Sequence, residues 1–147
     1  MSKALVFWAD DAFAPATSDD PGTPHKVRVL QRNGYDVRYE YRPDRRELER
    51  WIRTAARVEA GVPKFLVLDQ LWPSPLGQEG GTTLYMNCES DILQGFRGVV
   101  FYTKEPTQKA SALLNSWAGM GQVLYALIAG PERLAKELDA MLARLTA

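Results

Sequence analysis

Four polar residues that directly follow apolar runs are the side chains of this sequence best suited to chemistry. Asp10 and Asp11 follow the first apolar run, Asp69 follows a second, and Thr103 follows a third. Carboxylates held close together repel one another, and a bound cation relieves that repulsion. Hard oxygen ligands with room for water favour Mg²⁺ over softer metals. One of the carboxylates could then act as a nucleophile toward a phosphoryl group.

The apolar runs themselves predict strands. The runs at 4–8, 65–68 and 99–102 are continuous rather than alternating, which is typical of strands buried on both faces of a parallel sheet. Residues 35–41 instead alternate between apolar and charged side chains, which indicates a strand at the sheet edge with one face in solvent. Residues 123–128 are the last candidate strand.

Helical segments separate these strands. Asp44 and Glu47 match a capping box at the start of one helix, and Gly61 marks its end. The other helices are expected at 24–33, 82–93, 107–117 and 131–146. Strands and helices therefore alternate along the chain, which predicts a three-layer α/β/α fold with a five-stranded parallel sheet in the flavodoxin-like order 2-1-3-4-5.

This fold predicts where the polar residues meet. In an open parallel sheet the ligand site lies beyond the carboxyl ends of the strands, at the switch point between strands 1 and 3. We therefore expect Asp10, Asp11, Asp69 and Thr103 to lie together at one end of the sheet.

Composition restricts the class of protein. The 147 residues fit one domain, and the 18 acidic and 18 basic side chains balance, so no net field favours nucleic acid or an anionic membrane. A single cysteine, Cys88, and a single histidine, His25, exclude an internal disulfide and a cysteine- or histidine-rich metal site. The first apolar run is too short for a signal peptide or a membrane span, so we expect a cytoplasmic protein.

Several segments resemble response-regulator receiver domains. The segment LVFWADD is similar to the first-strand motif of that family, an apolar run closed by two acids. The segment VLDQLWPSPLG is similar to the phosphoacceptor motif, in which proline and glycine follow the acceptor at fixed distances, here Asp69, Pro73 and Gly77. VVFYT resembles the fourth strand of the family, and GPERLAKELDAML resembles its last helix.

The resemblance implies roles for individual residues in two-component, or phosphorelay, signal transduction. Asp69 would be the phosphoacceptor, and Asp10, Asp11, Asp69 and the carbonyl of Leu71 would bind Mg²⁺. Thr103 would bind a phosphoryl oxygen and act as the switch residue. The implied partners are a histidine kinase or phosphotransfer protein and a downstream target protein, and the domain would be a signalling domain rather than an enzyme.

The sequence departs from the family at strand 5. Receivers normally carry a lysine at the end of that strand, whereas this chain has no lysine between Lys109 and Lys136. Lys104 could supply a substitute charge, or it could point to solvent. A degenerate receiver that acts as a phosphorylation-independent interaction module is therefore the alternative, and a small flavodoxin-like enzyme or cofactor binder is a third hypothesis.

Two long loops and one apolar face complete the predictions. The segments 12–23 and 74–81 lie beside the predicted pocket and would be either solvated loops or a lid or partner surface. The apolar strand at 123–128, flanked by the helices at 107–117 and 131–146, predicts weak self-association of the domain.

Overall fold

The computed structural model shows alternating strands and helices. It describes residues 3–10, 13, 23–41, 44–58, 61–69, 72, 76, 80–102, 127–128 and 130–146. The strands are β1 (Leu5–Ala9), β2 (Asp36–Glu40), β3 (Lys64–Asp69), β4 (Gly98–Tyr102) and β5 (Leu127–Ile128). The helices are α1 (His25–Arg32), α2 (Arg45–Arg57), α3 (Gly80–Gly95) and α4 (Pro131–Thr146). The helix predicted at 107–117 lies outside the described residues.

The strands form one parallel sheet. In the described residues β1 lies between β2 and β3, β4 pairs with the other side of β3, and all of these pairs are parallel. The two residues of β5 pair with the end of β4, Leu127 beside Phe101 and Ile128 beside Tyr102. The predicted α/β class with a parallel sheet is confirmed. Residues 123–126 of the predicted last strand lie outside the described residues.

The central strands are buried on both faces because helices cover each side of the sheet. Phe7 of β1 packs in a core cluster with side chains of α2 and α3, such as Ile52 and Leu84. Trp8, the next residue of that strand, packs in a second cluster with side chains of α1 and α4. Adjacent residues of a strand point to opposite faces, so a continuous apolar run is what two covered faces require.

Lys64 of β3 and Gly95 of α3 both lie against the end of α2. Lys64 is buried, and its ammonium group donates hydrogen bonds to the carbonyls of Ala55, Ala56 and Val58 at the end of α2. A Cβ added at Gly95 of α3 would lie 2.2 Å from the carbonyl oxygen of Ala56. Only glycine permits this close approach of α3 to the end of α2. Lys64 satisfies carbonyl groups that the end of a helix leaves without hydrogen-bond partners.

Candidate functional site

The carboxyl ends of three neighbouring strands form the candidate site. Ala9 pairs with Leu68 across β1 and β3, so the next residues, Asp10 and Asp69, follow in the same register. Asp69 in turn pairs with Tyr102 at the end of β4. Because β3 lies between β1 and β4, the Asp69 position lies between those of Asp10 and Tyr102.

The three residues belong to one face of the sheet. The residues two positions earlier on the three strands, Trp8, Val67 and Val100, all pack in the core cluster that contains side chains of α1 and α4. Side chains two residues apart on a strand share a face. This alternation assigns Asp10, Asp69 and Tyr102 to the side of the sheet that α1 and α4 cover.

Asp10 forms a mostly buried ion pair with α1. Its side chain is only 2% exposed, and its Oδ2 lies 3.3 Å from Nζ of Lys26, whose own side chain is 33% exposed. A buried carboxylate is strongly unfavourable without a partner. Lys26 lies in the first turn of α1, and this contact shows that the helix begins beside the carboxyl end of β1.

The negative charges at this end of the sheet affect the pKa of Tyr102. Burial raises the pKa of its phenol, and a backbone hydrogen bond with Gly130 opposes that shift. The charges of Asp10, Glu132 and Asp69 also raise the pKa. Nζ of Lys26 lies 4.9 Å from the centroid of the same ring, in cation–π contact. Tyr102 therefore stays protonated at neutral pH, with three carboxylates and one ammonium group nearby.

The backbone after β3 is held by a buried aromatic side chain. Trp72 is 4% exposed, and its indole Nε1 donates a hydrogen bond to the carbonyl oxygen of Asp69. Its ring stacks on Tyr41 with a centroid separation of 6.2 Å and an interplanar angle of 9°. A Cβ added at Gly80 would lie 2.5 Å from Cδ1 of Trp72. Trp72 thus links the end of β3 to the start of α3.

The structure describes two of the predicted site residues: Asp10, which directly follows β1, and Asp69, which ends the adjacent strand β3. The predicted residues Asp11, Leu71, Thr103 and Lys104 lie outside the described residues, as do the motif positions 73 and 77. Within the described part of the chain, no group of three or more histidine, cysteine, aspartate or glutamate side chains is placed to hold a metal ion. The predicted Mg²⁺ ligand set thus stays a prediction.

Sequence reasoning missed two residues of the site, Lys26 and Tyr102. A helix that follows a strand of a parallel sheet starts at the carboxyl edge of the sheet. A cation in the first turn of the helix predicted at 24–33 was therefore a detectable signal for Lys26. Tyr102 directly precedes Thr103 and ends the third apolar run, so its position was predictable, but its contact with Lys26 was not.

Comparison with known proteins supports the fold but does not indicate a function. No protein-family model and no curated protein matches this sequence. A solved structure, the 1.60 Å crystal structure of a 3-dehydroquinate dehydratase-like protein from Bifidobacterium longum, is similar over 100% of both chains with a TM-score of 0.52. Its sequence is 12% identical, a level at which the likeness shows the fold alone.

None of the helices that the structure describes is both long enough and apolar enough to cross a bilayer.

Proposed function

We propose that this protein is an atypical response-regulator receiver domain of a two-component, or phosphorelay, signalling system, with Asp69 as the phosphoacceptor. The observation that carries the proposal is the register of β1 and β3, which sets Asp10 and Asp69 at neighbouring strand ends on one face of the sheet. Asp69 is only partly buried, whereas Asp10 is almost fully buried and paired with Lys26. The difference in exposure favours Asp69 as the carboxylate that meets a phosphodonor.

The proposed reaction is a direct transfer to the carboxylate. A carboxylate oxygen of Asp69 attacks the phosphorus atom of the donor and forms a new O–P bond. The bond between phosphorus and the leaving group breaks, and the leaving group departs with the electron pair. With acetyl phosphate as the donor, acetate leaves as an anion, and no proton has to be transferred.

The donor atoms at this end of the sheet are of the type that Mg²⁺ prefers, because carboxylates are hard oxygen ligands. Asp10, Asp11, Asp69 and the carbonyl of Leu71 would hold the ion. When bound, Mg²⁺ would neutralise negative charge on the phosphoryl oxygens. Asp10 would have to exchange part of its pairing with Lys26 for the metal.

The proposal includes the finer architecture of a receiver. The fifth strand would extend over 123–128 and complete the flavodoxin-like order 2-1-3-4-5. Thr103 and Lys104, which follow β4 in the sequence, would face the phosphoryl group. The phosphoryl donor would be a histidine kinase or a phosphotransfer protein, and the output would be contact with a downstream target protein.

A phosphorylation-independent interaction module is the second candidate function. The predicted fifth strand carries no lysine, and Lys26 already neutralises the buried charge of Asp10 without a metal. A pocket whose charges are balanced in this way could bind a partner protein through its shape and charge, without phosphoryl transfer.

Mass spectrometry of the intact protein distinguishes the two functions. The protein is incubated with Mg²⁺ and acetyl phosphate, and we expect the mass to increase by one phosphoryl group. Asp69→Asn should show no adduct. Asp36→Asn is the matched control, because Asp36 is an exposed aspartate at the start of β2, and it should be modified like the wild type. An unmodified wild-type protein would rule out the phosphoacceptor and favour the interaction module.

A further inference from the structure

The side chain of Lys26 bridges the ends of two strands that are not neighbours. Its Nζ lies 3.3 Å from Oδ2 of Asp10, beyond β1, and 4.9 Å from the ring centroid of Tyr102, at the end of β4. The strand between them is β3, which ends in Asp69. Neighbouring strands are separated by about 4.8 Å, and the two side chains that Nζ contacts come from positions on either side of the Asp69 position.

A phosphoryl group on Asp69 would need a positive charge at this place. It brings between one and two negative charges, roughly, at neutral pH, beside the buried carboxylate of Asp10. The predicted fifth strand, VLYALI, offers no cation. Lys26 does, because its ammonium group already belongs to the site and its flexible four-carbon stem allows the group to move by a few ångströms.

We propose that Lys26, from the first turn of α1, is a cation that binds the phosphoryl oxygens on Asp69. In the unphosphorylated protein the ammonium group pairs with Asp10. On phosphorylation it also donates to a phosphoryl oxygen, which stabilises the charge that develops during transfer. This inference rests on the proposed phosphoacceptor function. A lysine of α1 would supply the positive charge that receivers normally carry on strand 5.

The test compares the rate of phosphoryl gain of the wild type with the rates of substituted proteins. Wild type, Lys26→Met, Lys26→Arg and Lys136→Met are each incubated with Mg²⁺ and acetyl phosphate, and the adduct is followed by intact mass. Lys136 is the matched control because it is an exposed lysine of α4. We expect Lys26→Met to gain the phosphoryl group roughly 10- to 100-fold more slowly, the effect of losing one hydrogen bond to a charged group. Lys26→Arg should keep much of the rate, and Lys136→Met should match the wild type.

Lys26→Gln is included as a second uncharged variant in case Lys26→Met does not fold. Removing the ammonium group removes the ion pair between Lys26 and Asp10, so the melting temperature of each variant is measured as well. The amide of glutamine still donates a hydrogen bond to Asp10 but carries no charge, so this variant should also be slow while it remains folded.

The outcomes separate this inference from the proposed function. If Lys26→Gln or folded Lys26→Met gains the phosphoryl group at the wild-type rate, the role of Lys26 is overturned while the phosphoacceptor function stands. If Lys26→Arg is as slow as Lys26→Met, a charge at this position is not sufficient and the inference also fails. If the wild type itself gains no phosphoryl group, the proposed function fails, and the inference fails with it.

Discussion

The indole Nε1 of Trp72 donates a hydrogen bond to the backbone carbonyl of Asp69. The backbone of the candidate phosphoacceptor is thus held by the side chain of a residue three positions later in the sequence. Trp72 is buried, stacks on Tyr41 and packs against Gly80 at the start of α3. The local backbone at the end of β3 is therefore coupled to the packing between the sheet and α3.

Trp72→Phe should destabilise the protein and alter the site together. The substitution keeps an aromatic ring but removes the donor to Asp69, which should lower the free energy of unfolding by about 1 kcal/mol. Chemical denaturation measures this change. Because the carbonyl of Asp69 helps to fix the end of β3, phosphoryl gain from acetyl phosphate should also slow. A variant with wild-type stability and wild-type rate would show that the hydrogen bond is unimportant.

Mg²⁺ should change the tryptophan emission of the protein. Trp8 is fully buried, two residues before Asp10, and its ring lies 5.1 Å from that of Tyr102. A divalent ion at Asp10 and Asp69 would change the electric field around this indole. Binding to the folded state alone would also raise the melting temperature by mass action.

Two substitutions test whether that response comes from the site. Asp11→Asn should abolish both the emission change and the increase in melting temperature at millimolar Mg²⁺. Glu47→Gln, which alters an exposed acid of α2, should leave both intact. A wild-type protein that responds in neither measurement would indicate that the carboxylates do not bind Mg²⁺.

Lys64→Met should cause a large loss of stability unrelated to the site. The lysine is 2% exposed and donates to three carbonyls at the end of α2. Methionine fills a similar volume but leaves those carbonyls without this donor, so the free energy of unfolding should fall by about 3 kcal/mol. Urea denaturation measures the loss, and Lys136→Met should change it by less than about 0.5 kcal/mol. Equal midpoints for Lys64→Met and wild type would contradict this role.

Stability should decrease at acid pH in part because of Asp139. Burial acts to raise the pKa of this carboxyl, but hydrogen bonds from Tyr35 and Lys3 outweigh it and hold the pKa below the ordinary value of 3.8. Since the folded pKa is lower than the unfolded one, this stabilisation is complete above the unfolded pKa and is lost as pH falls through the folded pKa.

Asp139→Asn should therefore lower stability at neutral pH and flatten the dependence of stability on pH below about 4. Denaturation midpoints measured at several pH values between neutrality and the acid transition provide the test. Asp36→Asn, which alters an exposed aspartate, is the control. A wild-type slope in Asp139→Asn would show that other carboxyl groups account for the acid sensitivity.

Weak self-association stays a prediction from the apolar segment 123–128 and the helices beside it. Much of this face lies outside the described residues. Sedimentation velocity over a wide concentration range should show an increase in the average sedimentation coefficient. A strict monomer at the highest concentration would contradict the prediction.

The sequence alone predicted the parallel sheet because the pattern of burial is visible in it. Continuous apolar runs occur where helices cover both faces, and the alternating run 35–41 contains β2, which lies at the edge of the sheet. The adjacency of Asp10 and Asp69 followed from the same pattern, because parallel strands bring their carboxyl ends to one edge. Local capping signals also sufficed for α2, where Asp44 accepts a hydrogen bond from the backbone of Arg46.

The tertiary structure alone decided which side chains meet. The pairing of Lys26 with Asp10 depends on how α1 is rotated and where it rests on the sheet, which the packing of Val27 and Leu30 against the core sets. Helix α3 begins at Gly80, before the predicted residue 82, in close contact with Trp72. Such contacts join segments that are distant in sequence or differently oriented. The periodicity of apolar residues along one segment does not show how that segment is rotated against another.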